Sequence, residues 1–284
     1  MPSKRVDYRR YLVEIDTSST RQVFTDCLVI GGGIAGLRAA IEASDGCKVT
    51  LACKTKLDES NTWNAQGGIA AVLASEDSFE SHIEDTINAG CGICNESVVR
   101  RVIKEGPGLI RQLMDWGTEF DVSGEKLEVT LEGGHSFARV AHSHGDSTGR
   151  GIAEGLIRKI RNIKNIDVIE EFFVVDLITN GNGDCVGAVG KRKGAGLEVI
   201  WAANTILATG GAGRLWRETT NPRVATGDGL AIAYRAGAVL SDLEFMQFHP
   251  TTLYVAGASR ALITEALRGE GGILVDANGE AFMK

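Results

Sequence analysis

Cys27-Leu28-Val29-Ile30, then Gly31-Gly32-Gly33-Ile34-Ala35-Gly36, then Leu37-Arg38-Ala39-Ala40-Ile41 is the stretch that decides how this chain folds. An apolar run, a glycine turn and an alanine-rich run in that order read as strand, turn and helix. Gly31 permits the tight turn, Gly33 lets backbone approach a pyrophosphate, and Gly36 allows the helix to lie close on the strand. Unpaired N–H groups at a helix start attract phosphate charge, so a dinucleotide is the expected ligand. A second strand, Lys48-Val49-Thr50-Leu51-Ala52-Cys53, follows and is expected to lie parallel to the first through a right-handed crossover. An NAD site would carry an acidic residue at the end of that strand. Lys54, Thr55 and Lys56 stand there instead, which argues for a different dinucleotide.

The rest of the composition narrows the class. With 284 residues and 43% apolar content, the chain can bury a sizeable core as one large domain or two smaller ones. A net charge of −7 gives nucleic acid and anionic membranes no electrostatic reason to bind. No apolar stretch is long enough to span a bilayer, and the polar, basic start lacks the core of a signal peptide, so a cytoplasmic protein is expected. The six cysteines are scattered, which suits reduced thiols better than a disulfide framework. Cys91-Gly92-Ile93-Cys94 has the spacing of a redox pair or of half a zinc site, but no second pair completes it, and no metal is expected. Glycine is abundant (36) and proline scarce (four), as in a fold of many tight β–α turns.

Outward from the opening unit, residues 1–24 read as an N-terminal arm lying on the surface. Ser60-Asn61-Thr62-Trp63-Asn64-Ala65-Gln66-Gly67-Gly68 is a loop dense in amide and hydroxyl groups, suited to wrapping a large polar ligand, and the apolar residues after it read as a helix. From Phe79 to Trp116 the apolar spacing predicts packing helices, with N-caps at Asp77-Ser78 and Asn95-Glu96-Ser97 and stops at Gly90 and Gly117. Residues 131–150 crowd Glu132, His135, Arg139, His142, His144 and Asp146 among glycines, a pattern that suits anion binding or cofactor support better than a metal. Residues 167–189 read as strands with a hairpin turn at Asn180-Gly181-Asn182-Gly183-Asp184. Glu198-Val199-Ile200-Trp201 reads as one more strand, and Thr205-Ile206-Leu207 as a separate buried strand running into Ala208-Thr209-Gly210-Gly211. Asp228 opens an alanine-rich helix, where it can serve as a cap or meet ribityl hydroxyls.

Four elements together resemble the succinate dehydrogenase/fumarate reductase flavoprotein family. They are the Gly31/Gly33/Gly36 loop, Ser60-Asn61-Thr62 with Ala65-Gln66-Gly67-Gly68, the Ala208-Thr209-Gly210-Gly211 run, and Gln247-Phe248-His249-Pro250-Thr251 with Thr264-Glu265 and Arg268-Gly269-Glu270-Gly271. The resemblance implies an α/β fold: a Rossmann-like FAD-binding domain with a parallel sheet and an added β-region, plus the start of an α+β capping domain. The corresponding boundaries are an arm over 1–24, an FAD-binding domain over 25–245 and a truncated capping domain over 246–284. It also implies that FAD is held by Gly31, Gly33, Ala35, Gly36, Lys54, Ser60, Asn61, Thr62, Gln66, Gly67, Gly68, Val174 and Asp228.

Two positions refine the resemblance. Covalent flavoproteins of the family carry a His between the Ser and the Thr, and Asn61 at that place implies non-covalent FAD. Thr130-Leu131-Glu132-Gly133-Gly134-His135-Ser136 is similar to the T-x-E-G-G-H-S stretch of the branch that oxidises L-aspartate, in which the Glu orients the substrate amino group. An ammonium needs an anion beside it, and succinate does not. The branch implies oxidation of L-aspartate to iminoaspartate with oxygen or fumarate as acceptor, the first step of NAD biosynthesis, with the product passed to quinolinate synthase. Glu132, Gln247, His249 and Thr264 would hold the substrate, and Glu265 and Arg268 would form a proton relay. The family's main catalytic Arg would lie beyond Lys284, so the chain alone is expected to be inactive and to bind FAD weakly. The alternatives are a soluble fumarate reductase, a respiratory flavoprotein subunit, or a non-catalytic flavin-binding module.

Overall fold

The computed structural model describes residues 10–249, 251–255, 261–264, 267 and 271–283. In chain order these form β1 (Arg21–Ile30), α1 (Ile34–Ala43), β2 (Val49–Ala52), β3 (Ile69–Ala70), α2 (Phe79–Ala89), α3 (Glu96–Asp115), β4 (Val122–Ser123), β5 (Lys126–Leu127), β6 (Val129–Thr130) and β7 (Val140–Ala141). There follow α4 (Thr148–Arg161), β8 (Ile166–Ile169), β9 (Phe172–Thr179), β10 (Cys185–Arg192), β11 (Leu197–Leu207), α5 (Asp228–Arg235), β12 (Thr252–Leu253) and β13 (Ala261–Leu262). They divide into two compact units, one of residues 1–63 with 156–248 and the other of 64–155 with 249–284. The units therefore interleave along the chain.

The first unit is built on a six-stranded sheet of order β8-β2-β1-β11-β10-β9. β8, β2, β1 and β11 run parallel, and β10 and β9 add an antiparallel edge. The last four residues of β1, Cys27, Leu28, Val29 and Ile30, are all buried, as a central strand covered on both faces requires. From β1 the chain steps to β2 and β8 on one side, whereas β11 pairs on the other. The strand order thus reverses at β1, which opens a crevice beyond the carboxyl ends of β1 and β11. Leu28, Ile30, Phe172, Leu177, Ile200 and Ile232 form the core beneath it.

Three sequence expectations change here. Residues 198–207 form one strand, not two, and its last five residues are largely exposed. Ala202, Ala203 and Asn204 separate the two expected strands, but β11 runs through them beside β1 and leaves the core after the buried Ala202. Residues 167–179 supply both outer strands of the sheet: β8 pairs β2, and β9 pairs β10 at the opposite edge. The 1–24 arm is also less detached than expected. Residues 21–24 extend β1, and the Leu12 amide donates to Asp176 Oδ2 at 2.7 Å on the edge strand β9. Arg10 Nη2 donates to the Leu177 carbonyl at 2.9 Å beside it.

Asp176 is fully buried and also accepts from Arg235 Nε of α5 at 2.7 Å, while Arg235 Nη2 donates to the Val175 carbonyl at 2.6 Å. Removing the carboxylate would leave a largely buried guanidinium without its anion. Asp176→Ala is therefore expected to lower stability by about 3 kcal/mol in urea denaturation. It should also expose a new proteolytic site before Arg21 as Leu12 is released. An unchanged cleavage pattern would show that Asp176 does not hold the arm.

The second unit contains the three-stranded sheet β3-β7-β6, the hairpins β4–β5 and β12–β13, and the helix pair α2 and α3. Ser78 Oγ accepts from the Ser81 amide and Asn95 Oδ1 from the Val98 amide, so both expected N-caps form. Gly117, at φ +96°, follows the C-cap Trp116 of α3. Residues 69–70 form a strand where the sequence reading placed a helix. β3 pairs with β7 so closely that a side chain on Gly68 would meet the Ala141 carbonyl at 2.5 Å. That pairing outweighs the helical composition of the residues that follow.

Candidate functional site

At the carboxyl ends of β1, β2 and β11 lies a cleft of about 540 Å³. Gly31, Gly33 and Ala35 after β1, Lys54 after β2, Ser60, Asn61 and Thr62 from the following loop, and Ala208 and Thr209 after β11 line it. The local sequence explains the approach of these segments. Gly31 has φ +121°, and a Cβ there would run into the Ala208 carbonyl. A Cβ on Gly36 would overlap the Gly31 carbonyl, so α1 lies against the end of β1 only because Gly36 has no side chain. The Gly31 amide donates to the Ala52 carbonyl at 2.9 Å and the Ala208 amide to the Ile30 carbonyl at 2.8 Å, which locks the three strand ends together.

The first turn of α1 carries no acidic residue, and Ile34 N donates to Thr62 Oγ1 at 3.0 Å. The positive end of this helix therefore faces the cleft with no acidic residue in its own first turn. Lys54 adds a cation there. Its Nζ donates to Thr226 Oγ1 at 2.6 Å and pairs with Asp228, and Thr226 Oγ1 in turn donates to Asp228 Oδ2 at 2.8 Å. Two residues assigned from distant parts of the sequence, Lys54 and Asp228, are thus one cluster. A smaller cavity of about 60 Å³ adjoins the cleft and is lined by Val174, Asp228, Phe172 and Ile232 together with the shared Gly31, Lys54 and Thr209. Cys53 also lines the cleft, but burial, with Glu170 adding to it, pushes its thiol up to about 12, so it stays protonated.

Sequence reasoning missed Glu59, Val224 and Ala225 on the cleft wall and Thr226 as the partner of Lys54. Only the position of Thr226 two residues before Asp228 signals it. These donors fit a dinucleotide: glycine backbone and a helix start for phosphate, and hydroxyl and carboxylate groups for sugar or ribityl oxygens.

Gln66, Gly67, Gly68, Glu132, His249 and Thr264 belong to the second unit. Gln66 Oε1 is buried with no hydrogen-bond partner among the described residues. Glu132 stands at the root of the loop between β6 and β7, with Oε1 3.2 Å from His142 Nε2. The Arg139 amide donates to the Thr130 carbonyl at 3.1 Å and closes that loop. His249 Nδ1 lies 2.9 Å from the Thr251 carbonyl oxygen, and Thr251 Oγ1 donates to the Ile263 carbonyl at 3.2 Å. The β12–β13 ladder continues through Thr251 and Ile263, so His249 and Thr264 flank the same end of it. Gln247, in the first unit, is exposed. Glu265 and Arg268 lie outside the described residues.

Arg139 does not serve as an open anion site. It is fully buried and forms a fork on Asp77, with Nε to Oδ2 at 2.9 Å and Nη2 to Oδ1 at 2.7 Å, while Nη1 donates to Asp85 Oδ2 at 2.6 Å. Asp85 also accepts from the Ser136 amide at 2.8 Å and the Ser136 hydroxyl at 2.6 Å. Burial raises the Asp85 carboxyl, but the hydrogen bonds from Ser136 and Arg139 outweigh it and bring it down to about 2. His82, packed edge-on to His135 at 5.7 Å, is held below the usual histidine range by burial, Arg139 and His135. Cys91 and Cys94 lie beyond α2, with their thiols donating to the Asn88 and Thr86 carbonyls. Among the described residues, no group of three or more His, Cys, Asp or Glu side chains could hold a metal ion, and no helix is long and apolar enough to cross a membrane.

Known proteins resemble this chain over most of its length. L-aspartate oxidase of Streptomyces coelicolor is 43% identical over 92% of this chain and 47% of its own length. The chloroplastic L-aspartate oxidase of Arabidopsis thaliana is 44% identical over 94% of this chain and 43% of its own. The chain spans about half the length of the curated relatives it matches. Among solved structures, the E. coli quinol fumarate reductase FrdA chain superposes with a TM-score of 0.86 at 36% identity, over 92% of this chain and 45% of that one. Mycobacterium smegmatis Sdh1 in complex with UQ1 gives 0.82 at 34% identity, over 93% and 47%. The FAD binding domain family matches residues 26–284. With a glycine turn, a helix start and a lysine–aspartate pair at the reversal point of its sheet, this chain belongs to the FAD binding domain family.

Proposed function

We propose that this chain is the FAD-binding part of an oxidoreductase that oxidises L-aspartate to iminoaspartate, the entry reaction to NAD biosynthesis, with oxygen or fumarate as electron acceptor. The observation that carries the reading is Glu132: an anionic side chain, 15% exposed and fixed by His142, in a chain whose curated relatives are L-aspartate oxidases. In this reading FAD is held without a covalent bond, since Asn61 offers no nucleophilic ring nitrogen. When bound, FAD supplies the acceptor for the two electrons that leave the substrate carbon.

This chain's residues do the rest. The starts of α1 and of the Gly31 turn take the pyrophosphate, while Lys54, Asp228 and the 60–62 loop take hydroxyl and phosphate oxygens. Gln66, Gly67, Gly68 and Val174 complete the cofactor contacts. Glu132 binds the substrate ammonium, and Gln247, His249 and Thr264 bind carboxylate and fix which carbon faces the acceptor. Glu265 and Arg268 carry protons in the fumarate-reducing direction. Transfer of the product to quinolinate synthase belongs to the same reading. The whole activity is expected to need residues that the relatives carry beyond the matched half.

Anaerobic addition of L-aspartate to the complete FAD-loaded polypeptide should bleach the flavin, and succinate should not. Glu132→Gln should lower kcat/KM for L-aspartate by about a hundredfold, because a charge-assisted contact to ammonium is lost, and leave fumarate reduction within about twofold. Bleaching by succinate alone would move the protein to the dicarboxylate branch of the family.

A further inference from the structure

We propose that His142 is the positioning residue for Glu132: its ring fixes Oε1 of the carboxylate so that the other oxygen is presented to an ammonium group, making the pair a determinant of amino-acid over dicarboxylate recognition. This rests on the reading of Glu132 as the partner of the substrate ammonium.

His142 Nδ1 lies 3.2 Å from the Gly145 carbonyl, which can only accept, so Nδ1 carries a hydrogen. Nε2 faces two oxygens, Thr130 Oγ1 at 3.0 Å and Glu132 Oε1 at 3.2 Å, and because a carboxylate oxygen also only accepts, the bond to Glu132 is made by the ring that carries hydrogens on both nitrogens, the imidazolium form. The ring is thus held at both nitrogens, and the carboxylate meets it at one oxygen only. The backbone on either side is equally fixed. His142 takes an amide hydrogen bond from Asp121 at its carbonyl (2.8 Å), and the next turn is tied down by the His144 and Gly145 amides donating to Asp121. The far end of the Glu132 loop is bound at Ser136 to Asp85. Neither Glu132 nor His142 is more than 15% exposed in its side chain, so the contact is not a solvated surface pair. A glutamate with three side-chain torsions loses entropy when it is aimed at a ligand, and His142 removes that loss before binding. A succinate-type substrate, with no cation to place, gains nothing from the pair.

The test is steady-state kinetics on the complete FAD-loaded polypeptide with His142→Ala, His142→Gln, Glu132→Gln and the double variant. His142→Ala is expected to raise KM for L-aspartate about tenfold while fumarate reduction keeps its KM, the difference corresponding to one charge-assisted hydrogen bond. His142→Gln, whose amide can place an N–H near the Nε2 position, should recover most of that loss. The double variant should be no worse than Glu132→Gln alone, since His142 acts only through Glu132. An unchanged L-aspartate KM in His142→Ala, an equal loss with both substrates, or a Gln variant as poor as Ala would each overturn the proposal. Wild-type protein that fails to oxidise L-aspartate would instead overturn the functional reading on which it rests.

Discussion

Arg139→Leu is expected to be among the most destabilising single substitutions in this chain, lowering the free energy of unfolding by about 3–5 kcal/mol. The reason is what it leaves behind. Arg139 and Asp77 are both fully buried and Asp85 is nearly so, and the guanidinium supplies three of the bonds that satisfy the two carboxylates. Leucine is similar in bulk but strands two anions in a low-dielectric interior, which costs far more than the net worth of the intact cluster. A typical domain has about 5–15 kcal/mol in all, so thermal or urea unfolding should move well outside error. Replacing all three charged residues with apolar ones should cost much less than Arg139→Leu alone, and an equal cost would locate the effect in packing instead.

The same cluster sets an acid limit on stability. Asp85 titrates near 2 in the folded chain against an ordinary value of 3.8, so its contribution is fully present above about pH 4 and is lost as the pH falls through about 2. At about 1.4 kcal/mol per unit, that contribution is on the order of 2 kcal/mol. His82 acts in the same direction at higher pH. Its folded-state value is depressed below 6.5, so stability associated with the neutral ring is present above that value and declines as the pH drops below it. Acid titration of unfolding should therefore show two stages in the native chain, and the lower one should shrink but persist in Arg139→Leu, because the Ser136 amide and hydroxyl still hold Asp85.

Residues that act through near neighbours in sequence could be read without a structure, and residues that act through distant partners could not. The strand, glycine turn and helix of residues 27–41 are local: periodicity and turn chemistry specify them, and β1, Gly31 and α1 form where expected. The caps of α2 and α3 are local in the same way. Arg139 is the opposite case. A cation among histidines and glycines looks like an anion site until Asp77 and Asp85, on and before α2, are brought to it. Strand β3 was hidden for a similar reason, because only its pairing with β7 distinguishes Ile69 and Ala70 from the start of a helix. The two units interleave at residues 63–64 and 155–156, where no change of composition marks a boundary. The glycines of the opening turn were legible because their role is carried by backbone geometry. The pairing of Lys54 with Asp228 was not, because it joins residues 174 positions apart in the chain.

Gly36→Ala should weaken FAD binding at least tenfold, measured by flavin fluorescence on refolding with added cofactor, although it adds only a methyl group. Alanine is the better helix former, and in an exposed helix the change would stabilise by about 1 kcal/mol. Here the new Cβ would overlap the carbonyl of Gly31, which is backbone and cannot rotate away. α1 must therefore lift off the end of β1, or the Gly31 turn must move. Gly31 is fixed in turn by its φ of +121°, by the hydrogen bond from its amide to the Ala52 carbonyl and by the Ala208 carbonyl, which fills the space a side chain would need, so the helix is the element that yields. Lifting α1 draws the Ile34 amide away from Thr62 Oγ1 and withdraws the positive helix end from the pyrophosphate. Affinity should thus fall more than stability does. Gly46→Ala, at a glycine whose Cβ would meet nothing, is the matched control and should leave FAD binding unchanged. If Gly36→Ala binds FAD as tightly as the native chain, the phosphate is not held at the start of α1, and the Lys54–Asp228 cluster must carry the cofactor instead.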